Sequence, residues 1–284
     1  ASYFIKLKKI IFKFEYKNIV PYLKILFPLF LVDLVFKTND FLPRYSLSYF
    51  NSNYDVGLYT VYENYSRIFY LFITPLIFIL YPYIASFFNK EKFDKYFLTL
   101  RSSFEMSLYA YISVSIVGIF YLQDLIPLIS NQTFLAKSEY IIYFFIANLL
   151  MCLIAIFQPI LILYNKPKMY SIFIILFLLS IISSLILVNL YGIFGSVISK
   201  ILINFAIIFG IYYMIGKEIS NIFNLKFLFS ISFYLILIYQ VLIQINRLIV
   251  GHYSLNLFIS ATVIGLIFIM FQNKNIKYFA SIRS

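Results

Sequence analysis

Eight apolar runs follow one another along the chain, at about 19–49, 56–87, 102–122, 138–164, 169–190, 193–215, 227–249 and 254–272. A bilayer core of about 30 Å takes about 20 apolar residues in helix, so each run is long enough to cross it. The chain is 63% hydrophobic and 12% charged, against roughly 45–50% and about 25% in an average soluble domain. A soluble fold of 284 residues cannot hide that much apolar surface, and lipid must supply the solvent. The expected class is all-α, a polytopic membrane helix bundle of about eight transmembrane helices.

The net charge is +12, and its placement argues for membrane lipids and against nucleic acid as the partner. Lys and Arg cluster between the apolar runs, where anionic headgroups would meet them. The positive-inside rule then tests the helix count. On the side of the N-terminus stand Lys6, Lys8, Lys9, Lys13 and Lys17, then Lys90, Lys92, Lys95 and Arg101. Lys166, Lys168, Lys217, Lys226, Lys274, Lys277 and Arg283 complete sixteen of the 23 basic residues. The alternate loops hold almost none: 50–55 and 190–192 have no base, and 123–137 has Lys137. Eight spans and cytoplasmic N- and C-termini therefore support each other. The expected organisation is a basic cytoplasmic segment at 1–18, a six-helix lobe at 19–215, two further helices at 216–272 and a cytoplasmic tail at 273–284.

Several chemistries are excluded early. Cys152 is the one cysteine and His252 the one histidine. A disulfide framework, a cysteine-type zinc site and His-based metal or triad chemistry are all disfavoured, and no metal or cofactor is expected. The basic start lacks the apolar core and small-residue cleavage site of a secretory signal. The chain opens on Ala1, which suggests a fragment or processed numbering. Pro28, Pro43, Pro75, Pro82, Pro127 and Pro159 fall in or at the ends of helices, as kinks and packing adjustments in membranes allow.

Charge inside the spans is concentrated in the first two runs. Asp33, Lys37, Asp40 and Arg44 are spaced 4, 3 and 4 apart, which places them on one helix face with each acid one turn before a base. Tyr59, Glu63, Arg67, Tyr70 and Thr74 follow a similar spacing in the second run. Folded as a hairpin about Ser52, Lys37 and Arg67 lie at one depth, and Asp40 and Glu63 at another. A charge at the bilayer centre costs about 2.5–3.5 kcal/mol on insertion scales, so six of them must pair and face a polar interior. Three arrangements satisfy this: a salt-bridge lattice that pins the hairpin, a hydrated cavity whose cations hold an anionic substrate, or a hairpin that projects beyond the membrane and leaves Arg44 solvated. The candidate binding residues are Asp33, Lys37, Asp40, Arg44, Tyr59, Glu63, Arg67 and Tyr70. Elsewhere, Lys200 and Arg247 read as snorkelling to the interface, and Gln240 and Gln244 as glue between helices. Asn148 and Gln158 read as packing or cavity lining, Glu105 as partly solvated near a helix end, and His252 as without function.

A set of ordered motifs resembles a known family. Thr38-Asn39-Asp40-Phe41-Leu42 through Asp55-Val56-Gly57-Leu58-Tyr59 is similar to the Asn/Asp-rich end of the seventh helix and the V-G-x-Y turn of polysaccharide (O-antigen type) flippases, in the multidrug/oligosaccharidyl-lipid/polysaccharide exporter superfamily. Pro75-Leu76 through Tyr81-Pro82, Asn165-Lys166-Pro167-Lys168 and Tyr191-Gly192-Ile193-Phe194-Gly195-Ser196 resemble later motifs of the same second half, in order, over about 19–215. Where the family usually has Asp-Arg, this chain has Asp40-Phe41, with Arg44 one turn later.

The resemblance implies the second lobe of a two-lobe flippase plus two extra helices, the partner lobe being a missing N-terminal lobe or a second copy. It implies alternating access at the bacterial cytoplasmic membrane and an undecaprenyl-pyrophosphate-linked oligosaccharide as substrate, for polysaccharide or lipopolysaccharide biosynthesis. It implies no enzymatic activity. Competing readings are a drug or cation exporter of the superfamily, which calls for an acid-dominated cavity, and a polysaccharide polymerase or glycosyltransferase, which calls for charged outer loops. A non-transporting membrane scaffold is a further alternative.

Overall fold

The computed structural model describes residues 16–70, 74–164, 169–220, 225–248 and 253–283. These residues form nine α-helices and, among the described residues, no strand. In chain order they are α1 (Tyr16–Phe50), α2 (Asn53–Tyr70), α3 (Thr74–Asn89), α4 (Phe93–Phe120), α5 (Leu122–Ile129), α6 (Ile141–Tyr164), α7 (Met169–Ser220), α8 (Leu225–Leu248) and α9 (Tyr253–Arg283). Two 3-10 turns, Gln132–Leu135 and Ser138–Tyr140, join α5 to α6.

Five described segments are long and apolar enough to cross a membrane: Phe93–Phe120, Ser138–Phe157, Ile174–Tyr213, Phe229–Arg247 and Leu255–Ser281. The all-helical class expected from sequence is present. The first three helices fall outside those five. Within them, α1 carries Asp33, Lys37, Asp40 and Arg44, and α2 carries Asp55, Glu63 and Arg67. The predicted loop at 123–137 contains α5 and a 3-10 turn. The predicted tail at 273–284 continues α9 as helix to Arg283. Side-chain bonds hold that extension to α4: Asn275 donates to Glu105 at 3.0 Å, and the Tyr278 and Thr99 hydroxyls are 2.8 Å apart.

The 52 residues of α7 would span about 78 Å if straight, more than twice a bilayer core. They are folded back instead. Gly192 has φ +56°, a left-handed conformation that a right-handed helix cannot contain and that glycine adopts freely. A methyl placed on Gly195 would lie 1.8 Å from the Leu187 carbonyl oxygen, and one on Gly210 would lie 3.2 Å from the Ile172 side chain. Residues 172 and 210 would be about 57 Å apart in a straight helix. Both pairs centre on residue 191, so α7 is a helical hairpin with arms at 169–191 and 193–220.

α1 packs along the second arm of this hairpin. Its buried stripe is Val35, Asn39, Pro43, Ser46 and Leu47, at helical spacing. α4 is the common wall, with α3 and α6 on one side and α8 and α9 on the other. The last two helices are joined to it by hydroxyl pairs: Tyr109 with Ser230 at 2.6 Å, Ser113 with Tyr234 at 2.5 Å and Tyr121 with Ser260 at 2.8 Å. Such bonds between membrane helices contribute about 0.6 kcal/mol each on average. Gln240 and Gln244, expected between helices, lie on the exposed side of α8.

The connections sort themselves by end. At one end Asn51 sits beside Gly192, Tyr54 donates to the Thr133 carbonyl at 3.1 Å, and Lys137 pairs with Asp55 at 3.2 Å. At the other end, about 42 Å away along the 28 residues of α4, Tyr278 meets Thr99 and the Lys95 carbonyl.

Candidate functional site

Four charged side chains from three helices meet inside the bundle. Asp40 comes from α1, Glu63 and Arg67 from α2, and Lys200 from the second arm of α7. The Lys200 ammonium is 3.0 Å from Asp40 Oδ1 and 2.6 Å from Glu63 Oε1. The Arg67 guanidinium is 2.7 Å from Asp40 Oδ1 and 3.0 Å from Glu63 Oε1. The result is a closed ring of alternating charge in which two acids balance two bases.

Depth follows from the chain. Lys200 lies eight residues beyond Gly192, and Asp40 and Glu63 lie 11 and 10 residues from the α1–α2 turn at 51–53. At 1.5 Å per residue all three are about 12–17 Å from that end, deep within the bundle. Here a lone charge is costly, and the ring compensates each one.

The ring has a closed side and an open side. The side chains of Lys200 and Glu63 are 0% and 1% exposed, whereas those of Arg67 and Asp40 are 35% and 31% exposed. An arriving anion can therefore reach Arg67 without disturbing Lys200. Arg67 offers a planar fork that suits phosphate oxygens. Beside the ring, the Arg44 guanidinium lies 5.9 Å from the Tyr59 ring centroid, a cation–π distance, and Tyr59 meets Phe144 edge-on at 5.2 Å. Arg44 Nε, the Tyr59 hydroxyl and Glu63 Oε2 are buried and have no hydrogen-bond partner among the described residues. A polar ligand atom gains most beside such groups, because an unsatisfied buried donor or acceptor is costly.

A second layer of polar contacts keeps the helices in register around the ring. Asn39 donates to Asn204 at 2.9 Å, and Asn204 donates to the Ala147 carbonyl at 2.9 Å. Asn148 donates to Ser66 at 2.7 Å, and Ser66 donates to the Tyr62 carbonyl at 2.9 Å. Asn148 is thus a packing contact between α6 and α2.

Of the residues singled out from sequence, Asp40, Glu63 and Arg67 converge, with Arg44 and Tyr59 alongside. Asp33 and Lys37 stay on the exposed side of α1 and make no ion pair among the described residues. Three residues before Asp40 is about 60° around the helix, enough to turn Lys37 away from the ring. The side chains of Tyr70 and Gln158, and all of His252, lie outside the described residues. Lys200 corrects the sequence reading: it does not snorkel to an interface but is fully buried between two carboxylates. Its signal was present, since it is the only charge between Gly192 and Gly216 and its distance from the Gly192 turn matches the depth of Asp40 and Glu63. Arg247, by contrast, is exposed at the end of α8, as expected. Glu105 pairs with Arg101 at 2.8 Å. Comparison with protein-family models, with curated proteins and with solved structures finds no match to this chain.

Proposed function

We propose that the chain is a lobe of a polysaccharide-type flippase, which moves an undecaprenyl-pyrophosphate-linked oligosaccharide across the bacterial cytoplasmic membrane by alternating access. The observation that carries this reading is the ring deep within the bundle, with Arg67 open and Lys200 closed. A pyrophosphate brings at least two negative charges, which a low-dielectric interior tolerates only beside cations. The resemblance of the ordered motifs points to the same substrate class.

Eight crossings belong to this reading: α1, α2 with α3, α4, α6, the two arms of α7, α8 and α9. The meeting of base-poor connections at one end of the bundle supports it, with N- and C-termini on the cytoplasmic side. Asp33 and Lys37 on the exposed face of α1 support a polar cavity there, bounded on its far side by another lobe or a second copy. The balance of two acids and two bases favours an anionic substrate over a drug or cation, which calls for excess acid.

The test is complementation of surface polysaccharide in a flippase-null host by the full-length gene, with membrane abundance measured alongside. Arg67→Ala is expected to abolish export at preserved abundance. Export that persists in that variant rejects the reading.

A further inference from the structure

Exposed aromatic rings recur at one-turn intervals on α1. Phe41, Tyr45 and Tyr49 are each more than half exposed. The Phe41 and Tyr45 rings lie 6.4 Å apart with planes only 22° from parallel, and Tyr49 is braced edge-on by Phe50 at 4.9 Å. A four-residue interval rises about 6 Å, so the three rings make a ladder about 12 Å long. Its inner rung follows Asp40 of the charged ring directly in sequence. Its outer rung is two residues from Asn51, which sits beside Gly192.

Exposed rings on a membrane helix ordinarily face acyl chains. This face differs, because Asp33, Lys37 and Ser48 are also exposed on it. At about 100° per residue, Lys37 and Phe41 are only about 40° apart around α1. A charge turned toward hydrocarbon costs about 2.5–3.5 kcal/mol, so the arc that carries Lys37 and Phe41 fronts water or protein. Flat rings in a wet cavity suit pyranose sugars, whose C–H faces stack on them while tyrosine hydroxyls reach the sugar hydroxyls.

We propose that Phe41, Tyr45 and Tyr49 form a sugar-stacking track, which holds the glycan of the substrate while Arg67 holds its pyrophosphate. The track rests on the flippase reading above and adds to it a second subsite, for neutral pyranose rings. It accounts for the direction of the ladder, which leads from the charged ring to the base-poor end.

The 284 residues contain no tryptophan; with any tryptophan elsewhere in the full-length protein replaced by phenylalanine, Phe41→Trp, Tyr45→Trp and Tyr49→Trp each report on their own surroundings. Phe209→Trp, at another exposed site on α7, serves as the lipid-facing control. The full-length protein is placed in nanodiscs containing chain-brominated phosphatidylcholine, and quenching by the lipid is compared with quenching by aqueous acrylamide. The ladder reporters are expected to respond to acrylamide and the control to bromine. Undecaprenyl-pyrophosphate-linked glycan extracted from the expressing strain should abolish acrylamide quenching at the ladder, whereas undecaprenyl pyrophosphate without sugar should leave it intact. Bromine quenching at the ladder overturns the track. If both lipids bind in an Arg67-dependent manner and the ladder does not distinguish them, the track fails and the flippase reading stands. If neither lipid binds, both fail.

Discussion

Arg67 and Lys200 hold the same two oxygen atoms, Asp40 Oδ1 and Glu63 Oε1, from opposite sides of the ring. Their surroundings divide their roles. Arg67 is partly open and exchangeable, while Lys200 has no route to solvent and keeps the acids compensated whatever Arg67 does.

Removal of Lys200 should therefore be a folding lesion. Lys200→Met leaves two acids facing one base, and breaking a buried ion pair costs about 3–5 kcal/mol. Abundance of the full-length protein in the membrane should fall sharply. The double variant Lys200→Met with Glu63→Gln should recover much of it, because the uncompensated charge is gone. Detergent-solubilised thermal unfolding measures both effects.

Arg67 should behave in the opposite way. Arg67→Lys keeps the charge and loses the bidentate fork, so transport is expected to fall while abundance holds. Arg67→Ala should transport less still. Adding Glu63→Gln to Arg67→Ala should keep abundance and leave transport absent. Recovery of transport together with abundance would show that these charges only pin the helices.

The α7 hairpin makes a steric prediction. Gly192→Ala places a side chain in the left-handed region, at about 1–2 kcal/mol, and should reduce abundance modestly. Gly195→Ala should be worse, because the new methyl meets the Leu187 carbonyl oxygen and the two arms must part. Proteolytic sensitivity of the membrane-embedded protein, compared across the two variants, gives the ranking.

Topology can be read by labelling. Asn53, Asn89 and Asn131 are exposed, and the native Cys152 is buried and silent. Cysteines at 53 and 131 should react with an impermeant maleimide in intact cells, and a cysteine at 89 should react only after lysis. Reaction at 89 in intact cells would invert or break the eight-span arrangement.

Legibility in sequence followed the range of each interaction. The charged stripe on α1 and its counterpart on α2 were readable, because a helix brings residues three and four apart onto one face. The turn at Tyr191-Gly192 was readable from an apolar run that resumes after a glycine. Lys200 was misassigned because its partners lie 137 and 160 residues away, and helical periodicity carries no information across that distance. The eight-residue distance of Lys200 from Gly192 matches the depth of Asp40 and Glu63 below their own turn. Gln240 and Gln244 were misread for a related reason: polarity identifies a residue that wants a partner, but which face of α8 has a neighbour is decided by α4 and α9. The short α5 lies in a predicted loop, since eight residues give too little periodicity to register.

The separation between Lys200 and its acids also sets an order of events in manufacture. Asp40 and Glu63 are synthesised 160 and 137 residues before it. At about 5–20 residues per second, roughly 7–27 s pass between Glu63 and Lys200. Throughout that interval Asp40 and Glu63 have only one of their two ring bases, Arg67, to share between them. The ring thus reaches its final electrostatic balance only when the second arm of α7 leaves the ribosome.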